Sequence, residues 1–290
     1  MTIQLEVYKA SISDQSRIVR LLNEARRSFA AFGLEDLPYL LARGNCMVAG
    51  DDEKLWGFVC VSLNGSNWAY LRGAAIVNGW RTDDALQAVL EPLQERLRER
   101  GATHLAAYGT ALWLVPALQR AGFQRSEWIA TLHRHPRPLA LEDAADICVR
   151  SVVAHDLGAL GKLDKAAFAP PFQLEGGELI ELLVTSGHFA VAEAEGFDGL
   201  AGYVAADVIG DEGHIMRLAV HPSLHGRGIG RTLLNGALAH CQEQGARETI
   251  INTQDSNQAS LRLYEGFGFR RVGRRVPLLV RELQPVPVES

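Results

Sequence analysis

Near the C-terminal end of the chain, the apolar pattern changes from a two-residue period to a helical period across a short glycine-rich turn. Apolar and polar positions alternate from His214 to Val220, which predicts a strand, and Pro222 ends it because proline cannot donate to a β-ladder. Beyond the turn at residues 225–230, apolar positions recur on one helical face until Gly245. These positions are Ile229, Leu233, Leu234, Ala237, Leu238 and Cys241. The pattern predicts a strand, a turn and a helix N-terminus in succession.

This turn has the composition of an anion-binding site. It reads His-Gly-Arg-Gly-Ile-Gly, so backbone amides can approach a phosphate without Cβ atoms in the way, and the helix dipole favours negative charge there. Arg227 and Arg231 would add cationic contacts. The spacing differs from a Walker loop, which needs Gly-Lys-Ser/Thr. It also differs from a dinucleotide fingerprint, because Leu233 stands where a third spaced glycine is required.

The turn resembles the acyl-CoA signature of the GCN5-related N-acetyltransferase (GNAT) family, Gln/Arg-x-x-Gly-x-Gly/Ala after a Val-x-Pro strand end. His225 occupies the usual Gln/Arg position. A second stretch, Asn257 to Phe269, is similar to the Asn…Leu-Tyr…Gly-Phe ending of the same family. With both signatures in the right order, the C-terminal half is identified as a member of this family, and it resembles the ribosomal-protein-alanine N-acetyltransferases in particular.

The same order of elements occurs twice along the chain, which predicts a tandem repeat. Gly122-Phe123 and Gly268-Phe269 lie 146 positions apart, and each precedes a predicted strand. His135-Pro136-Arg137-Pro138 is the best linker, because two nearby prolines forbid regular structure. The predicted domains are 1–135, a linker at 136–145, and 146–290. The resemblance implies an α/β protein with two tandem GNAT folds, each a mixed, mostly antiparallel central sheet flanked by helices.

The predicted elements follow from periodicity and from turn residues. Strands are predicted at 5–8, 47–49, 56–63, 68–77, 104–108, 128–133, 147–152, 189–193, 200–206 and 214–220, with Asp51-Asp52 and Asn64-Gly65 as turns. Helices are predicted around 18–25, 86–97, 112–120, from Leu157 and from Ile229.

The two copies differ where the family binds its cofactor. Aligned at the 146-residue offset, the first copy has Thr82, Asp84, Ala111 and Leu118 where the second has Gly228, Gly230, Asn257 and Tyr264. Asp83 and Asp84 would place negative charge where a pyrophosphate should lie. The first half is therefore predicted to be a degenerate copy that binds no CoA and serves as a structural platform or a wall of the acceptor site.

The resemblance also implies site residues in the second copy. Acetyl-CoA, with CoA as product, would be bound by Leu218, Ala219, Val220, His225, Gly226, Arg227, Gly228, Ile229, Gly230, Arg231 and Asn257. Tyr264, seven residues after Asn257, would be the general acid that protonates the departing thiolate. The alternatives are a simple tight turn for the glycines and a core aromatic residue for Tyr264.

The general base is left unassigned. Relatives that acetylate protein N-termini have a glutamate five residues before the asparagine, and here that position is Asn252, which cannot accept a proton. Asp255, Glu212 or Glu193 acting through water are candidates, although each is also explained as a solvated carboxylate. The loop from Phe168 to Phe172 is similar to one bordering the acceptor groove in relatives, and a packed aromatic loop explains it equally well.

These features predict an acetyl-CoA-dependent N-acetyltransferase that acts by direct attack of a primary amine, on a small molecule or on a peptide or protein. Two other function classes remain: a catalytically weak acyl-CoA-binding sensor or regulatory protein, and a substrate-binding or peptide-transfer variant of the doubled fold. The absent glutamate at position 252 favours the sensor, whereas Tyr264 favours catalysis. Fold analogy does not choose the acceptor.

Composition narrows the remaining choices. The 290 residues carry a net charge of -5, which argues against nucleic acid as a partner. Cys46, Cys60, Cys148 and Cys241 form no Cys-x-x-Cys pair, so we expect buried reduced thiols and no metal site. The chain shows neither a signal peptide nor an apolar run of about 20 residues. We therefore expect a soluble cytoplasmic protein without a membrane partner, as a monomer or a homodimer.

Overall fold

The computed structural model describes residues 6–51, 53–63, 67–79, 81–139 and 146–283. The chain divides into two compact units: unit 1 comprises Met1–Glu127 and Val276–Ser290, and unit 2 comprises Trp128–Arg275. The first elements along the chain are β1 Glu6–Lys9, α1 Gln15–Glu24, β2 Arg27–Ala30, α2 Leu37–Ala42, β3 Cys46–Gly50, β4 Leu55–Leu63, β5 Trp68–Ile76, α3 Thr82–Glu99, β6 His104–Tyr108 and α4 Leu114–Arg120. The remaining elements are β7 Gln124–Arg134, β8 Ile147–Ser151, α5 Leu157–Ala167, α6 Gly176–Thr185, β9 His188–Ala194, β10 Gly202–Ile209, β11 Glu212–Val220, α7 Ile229–Glu243, β12 Glu248–Gln254, α8 Gln258–Gly266 and β13 Arg270–Glu282.

Unit 1 is a mixed sheet with helices on both faces. Its strands follow the order β1-β3-β4-β5-β6 and the end of β13, and β2 pairs with β5. Only β5 and β6 are parallel among these pairs of described strands. One face packs on α1 and α2 around Ile18, Leu37 and Phe58, and the other packs on α3 and α4 around Leu90 and Leu118. Helices thus cover both faces of a mixed, mostly antiparallel sheet, as the sequence predicted for this half.

Unit 2 repeats this plan and positions the candidate site. Its strands follow the order β7-β12-β11-β10-β9-β8, with β11 and β12 as the parallel pair among the described strands. Because side chains alternate along a strand, the sheet buries two apolar faces. Leu160, Leu179 and Tyr203 belong to the face covered by α5 and α6, whereas Leu234 and Phe269 belong to the face covered by α7 and α8. The predicted fold class is confirmed.

The repeat predicted from two Gly-Phe pairs has the same local geometry in both copies. Gly122 and Gly268 end α4 and α8 with φ values of 85° and 82°, a left-handed conformation that glycine adopts without a Cβ clash. The next amide, of Phe123 or Phe269, donates back to the carbonyl of residue 118 or 264 at 3.0 Å. Each helix therefore stops in a similar way before its final strand.

Each half of the sequence contributes the end of its last strand to the sheet that is formed mainly by the other half. Residues 129–134 of β7 pair with β12 in unit 2, and residues 278–282 of β13 pair with β6 in unit 1. The contact-based borders at 127/128 and 275/276 thus differ from the predicted borders at 135 and 146. Part of the predicted linker, residues 140–145, lies outside the described residues, as do residues 5, 52, 64 and 65 of the predicted strand and turns.

The predicted elements did not include β2, α2, α6 and β12. The four residues of β2 and the six of α2 give too few periods to stand out in sequence, and both take their place from packing against unit 1. Cys46, Cys60 and Cys241 are buried free thiols, but Cys148 is exposed because both faces of strand β8 are open at that point. Among the described helices, none has the length and apolarity to cross a bilayer.

A partly buried histidine in unit 2 stacks on a second histidine. The ring of His188 stacks on His240 with centroids 5.1 Å apart, and Nε2 of His188 is buried without a hydrogen-bond partner among the described residues. Burial lowers the pKa of His188, and the neighbouring His240 lowers it further, whereas Glu243 raises it in part. The folded chain therefore binds this proton less readily than the unfolded chain does.

We expect the free energy of unfolding of unit 2 to fall as pH drops below about 6.5, the pKa of an unfolded histidine, because the unfolded state then takes up the proton first. The substitution His188→Phe should flatten this part of the profile, since it keeps a ring against His240 and removes the titrating group. The measurement is the urea midpoint of unit 2 at pH 5.5 and 7.5. Hydrogen exchange of the α7 amides serves as the probe of unfolding. Equal pH dependence in both proteins would contradict the assignment.

Candidate active site

The central feature of unit 2 is a fork between its two parallel strands. The pairing of β11 with β12 ends at Ile215 opposite Ile251. Beyond this point β11 stays paired with β10 as far as Val220, and β12 stays paired with β7 as far as Gln254. The backbone groups of β11 that point toward β12 are therefore released from the sheet after Ile215.

A β-bulge lies at the start of the fork. Arg217 lies opposite Ala205 and Ile215 lies opposite Ala206, so Met216 is an extra residue without an opposite partner on β10. A bulge bends its strand and increases the local twist, which helps β11 to diverge from β12. The bulge also turns Arg217 and Ala219 to the α5 face, whereas Ile215 faces α7.

The predicted glycine turn joins the end of β11 to the N-terminus of α7. Gly226 and Gly228 have φ values of 81° and 85°, and Gly228 is the residue before the first helical turn. Within the described chain, the amides from Gly226 to Arg231 donate to no backbone carbonyl, and the first such bond is from Thr232 to Gly228 at 3.0 Å. A Cβ at Gly230 would come within 3.4 Å of Val220 and Leu263, so glycine lets the helix approach the strand.

A cavity of about 370 Å³ opens between this turn, the released edge of β11 and the start of α8. Its lining is Ala167, Phe168, Leu218, Ala219, Val220, Leu224, His225, Gly226, Gly228, Ile229, Gly230, Arg231, Asn257, Ala259, Ser260 and Leu263. Every predicted cofactor-binding residue except Arg227 is among them. Arg227 is exposed and lies outside the lining. The structure thus brings together residues from two motifs that are about thirty positions apart in sequence.

Two of the predicted polar residues are already engaged in local bonds. The side chain of Asn257 caps α8 by accepting a hydrogen bond from the amide of Ser260 at 3.1 Å. Nε2 of His225 lies 3.2 Å from the carbonyl oxygen of Val220, and the nitrogen must donate because a carbonyl only accepts. Both bonds stiffen the cavity wall, since each ties one lining residue to another.

Tyr264 is buried instead of lining the cavity. Its side chain is 4% exposed and packs against Phe269 with ring centroids 5.9 Å apart. Burial raises the pKa of Tyr264 to about 12, and its hydrogen bond with Ser260 offsets part of that rise. Because Ser260 lines the cavity, the Tyr264 hydroxyl is one hydrogen bond away from it. Ser260 was not among the predicted site residues, although Ser260 and Tyr264 are four positions apart and therefore share a helix face.

Two of the candidate bases are held in ion pairs. Asp255 pairs with Arg271 and with Arg275, the latter at 2.5 Å, and the hydrogen bond from Arg275 is the largest cause that lowers its pKa. Glu193 accepts two hydrogen bonds from Arg150, at 2.7 and 2.9 Å. Neither carboxylate lines the cavity.

The other two positions also lie outside the cavity. Asn252 accepts a hydrogen bond from the hydroxyl of Thr131 at 2.7 Å, and Glu212 lies 3.5 Å from His214. No Asp or Glu occurs among the described residues that line the cavity. Any proton removal by a carboxylate there would have to proceed through water.

A buried ion pair supports the cavity from the α5 side. Asp164 is 0% exposed and accepts hydrogen bonds from Arg217 at 2.7 and 3.0 Å and from the Tyr203 hydroxyl at 2.5 Å. The guanidinium of Arg217 also donates to the Phe172 carbonyl at 2.6 Å and stacks on the ring of Phe168, 3.7 Å from its centroid. The members of this cluster come from three separate elements, α5, β10 and β11, so no local sequence pattern marks them.

The corresponding helix start in unit 1 has no such cradle. Helix α3 begins at Thr82 after an extended Arg81, without a positive-φ glycine at its cap. Asp83 pairs with Arg120 at 2.6 Å, and Asp84 lies 3.3 Å from Arg81. Two carboxylates therefore occupy the first turn of α3, as the sequence indicated. Among the described residues of both units, no cluster of three or more His, Cys, Asp or Glu side chains is arranged to hold a metal.

Parts of the chain are similar in sequence to known acetyltransferases. Residues 159–269 match the sequence profile of the acetyltransferase (GNAT) family. The chain is 38% identical over 80 residues to a mycothiol acetyltransferase of Thermobispora bispora, a match covering 28% of this chain and 23% of that protein. It is 28% identical over 120 residues to the [ribosomal protein bS18]-alanine N-acetyltransferase of Salmonella typhimurium, covering 39% of this chain and 74% of that one.

Solved structures resemble both halves together. A GCN5-related N-acetyltransferase from Sphaerobacter thermophilus superimposes with a TM-score of 0.68 at 16% identity, covering 98% of each chain. A tandem GNAT protein from the clavulanic acid biosynthesis pathway gives a TM-score of 0.67 at 14% identity over 98% of this chain and 100% of that one. At these identities the likeness concerns the fold. With the sequence match at residues 159–269, these structures show that both halves have GNAT folds and that part of unit 2 is similar in sequence to the GNAT family.

Proposed function

We propose that unit 2 transfers an acetyl group from acetyl-CoA to a primary amine, on a small molecule or on a peptide or protein. The observation that supports this most is the pairing of free amides at the start of α7 with the released edge of β11. The two features lie along one cavity, so one elongated ligand can use both. The GNAT family uses acetyl-CoA as its donor.

The phosphate end of the donor fits the glycine turn. The amides of residues 226–231 point from a helix N-terminus, where the macrodipole contributes about half a positive charge. Arg231 lies in the lining with its guanidinium 5.5 Å from the ring centroid of Phe267, and Arg227 is exposed beside it. Both arginines are near enough in sequence to add cationic contacts.

The amide-bearing arm of the donor fits the fork. Beyond Ile215 the freed N–H and C=O groups of β11 can pair with an extended ligand as an additional strand would. Leu218, Ala219 and Val220 all line the cavity and form this edge. The thioester would then lie toward Leu218, at the end of the cavity farthest along the chain from the glycine turn. Orientation of thioester and amine supplies a large part of the rate in such a reaction.

The reaction needs two proton transfers, one to the departing thiolate and one from the attacking amine. Tyr264 is proposed to protonate the departing thiolate, since its raised pKa keeps the hydroxyl protonated at neutral pH and Ser260 connects it with the cavity. We propose that the attacking amine loses its proton to water, because the described residues that line the cavity include no carboxylate. We therefore expect the rate to rise with pH toward the pKa of the acceptor amine, near 8 for an α-amine and near 10.4 for a lysine.

A weak acyl-CoA-binding sensor is the second candidate. It is favoured by the same lack of a lining carboxylate and by Asn252 at the position of the expected glutamate. A sensor and an enzyme differ in one measurable respect. Both bind acetyl-CoA, and only the enzyme releases free CoA thiol at a rate that depends on the acceptor.

The test is a thiol-release assay of the full chain with acetyl-CoA and a panel of acceptors: a peptide beginning with alanine, a peptide with one lysine side chain, and small primary amines. We expect one acceptor class to accelerate thiol release well above hydrolysis, with a single acetyl-CoA bound per chain by calorimetry. Tight binding with no acceptor-dependent release across the panel would favour the sensor. Absence of binding would contradict both functions.

A further inference from the structure

Phe168 lines the cavity from the end of α5. It follows the last residue of α5, and with Ala167 it forms the part of the lining that comes from outside residues 218–263. Its ring lies against Arg217, the residue just before Leu218 on β11. The strand runs from the fork toward the turn, so Phe168 is placed on the fork side, where the thioester is proposed to lie.

Three contacts fix the position of Phe168. Its amide donates to the carbonyl of Asp164 at 2.9 Å, and its carbonyl accepts a hydrogen bond from Nε2 of Gln173 at 2.8 Å. The guanidinium of Arg217 covers one face of the ring at 3.7 Å. Backbone and ring are therefore both held, and the ring cannot swing away without breaking the stacking on Arg217.

Arg217 is itself held in place. Its side chain is 14% exposed, and its partner Asp164 is fully buried, so their separation would leave an uncompensated buried charge. Tyr203 and the amide of Leu174 donate to the same carboxylate, at 2.5 and 2.7 Å. The support behind Phe168 is thus a buried ion pair with several hydrogen bonds to both of its partners.

We propose that Phe168, backed by Arg217, sets the acyl-chain length of the donor. This rests on the proposed function of unit 2. A fixed aromatic ring at the proposed thioester end would limit how far the acyl chain of the donor can extend. One methylene in an apolar pocket typically changes kcat/KM by about 10- to 200-fold. Because both the backbone and the ring of Phe168 are held, we expect it to discriminate between acyl chains of different length more sharply than a mobile side chain would.

The experiment compares kcat/KM for acetyl-, propionyl- and butyryl-CoA in the full chain and in Phe168→Ala. We expect the unaltered protein to prefer acetyl-CoA over butyryl-CoA by at least about tenfold, and the variant to lose most of this preference. The matched control is Phe197→Ala, which removes a ring that contacts His221 outside the cavity and should keep the original ratio. If Phe168→Ala does not fold, Phe168→Leu replaces it, with a smaller shift in the same direction.

A second variant tests whether Arg217 holds the ring of Phe168 in place. Arg217→Lys keeps the charge opposite Asp164 and loses the planar group that covers the ring. We expect it to relax the chain-length ratio without the loss of acetyl-CoA binding that a disrupted cofactor site would show by calorimetry. An unchanged ratio in folded, active Phe168 variants would overturn the inference. No acetyl transfer by the unaltered protein would instead overturn the proposed function, so the two failures are distinguishable.

Discussion

Replacing Tyr264 with phenylalanine is expected to lower kcat by a factor of about 10² to 10⁴, the usual contribution of a general acid. The substitution keeps the ring packed against Phe269 and removes only the hydroxyl that is bonded to Ser260. The Kd for acetyl-CoA should stay close to that of the unaltered protein, because Tyr264 is outside the lining. The measurements are kcat from thiol release and Kd from calorimetry.

A matched control tests whether the loss of any part-buried tyrosine hydroxyl is enough to lower kcat. Tyr8 in unit 1 also donates from a part-buried hydroxyl, to Asp14 at 3.2 Å, so Tyr8→Phe should leave kcat unchanged. If Tyr264→Phe retains full turnover, Tyr264 is a packing residue of the core of unit 2. A proton donor would then have to be sought among residues that line the cavity itself.

Replacing Gly228 with glutamate is expected to raise the Kd for acetyl-CoA by about 10- to 1000-fold. The upper figure corresponds to about 4 kcal/mol for two unit charges 4 Å apart at an effective dielectric of 20, and solvent screening lowers it. The new carboxylate would stand at the helix N-terminus, where the pyrophosphate is proposed to bind. Gly228 also has a φ of 85°, and a left-handed residue with a side chain adds strain of about 1 to 2 kcal/mol.

The backbone strain has its own control. Gly210 has a φ of 65° in the turn between β10 and β11, and an added Cβ there meets no atom within 4 Å. Gly210→Glu therefore introduces the same residue in a similar conformation away from the cavity, and its Kd should match that of the unaltered protein. Comparable weakening in both variants, or unchanged binding in folded Gly228→Glu, would remove the glycine turn from the proposed cofactor site.

The local chemistry of the site was readable in the sequence because it depends on residues close together in the chain. Gly226 and Gly228, just before a one-faced helix, adopt positive φ values, and the amides that follow at the helix start are free of backbone partners among the described residues. The Gly-Phe pairs at 122 and 268 dictate two similar helix ends, and these revealed the tandem repeat. The carboxylates at the start of α3 were likewise visible, since charge in a first helical turn needs no tertiary information.

Other features depend on distant partners. Asp164, Tyr203 and Arg217 belong to no sequence motif, and only the packing of α5 on β10 and β11 joins them. In the same way, Asp255 is a plausible base in sequence, and two arginines sixteen and twenty residues later turn it into an ion-pair partner.

The sequence by itself predicted the resemblance to the GNAT family, the two copies and the residues of the glycine turn, because each follows from short-range spacing. Only the tertiary structure decided where β11 leaves β12, which sheet receives the last strand of each half, and that Tyr264 lies behind Ser260 instead of in the cavity. The physical reason is that strand pairing and burial are set by contacts between residues far apart in the chain. Spacing along the chain does not specify those partners.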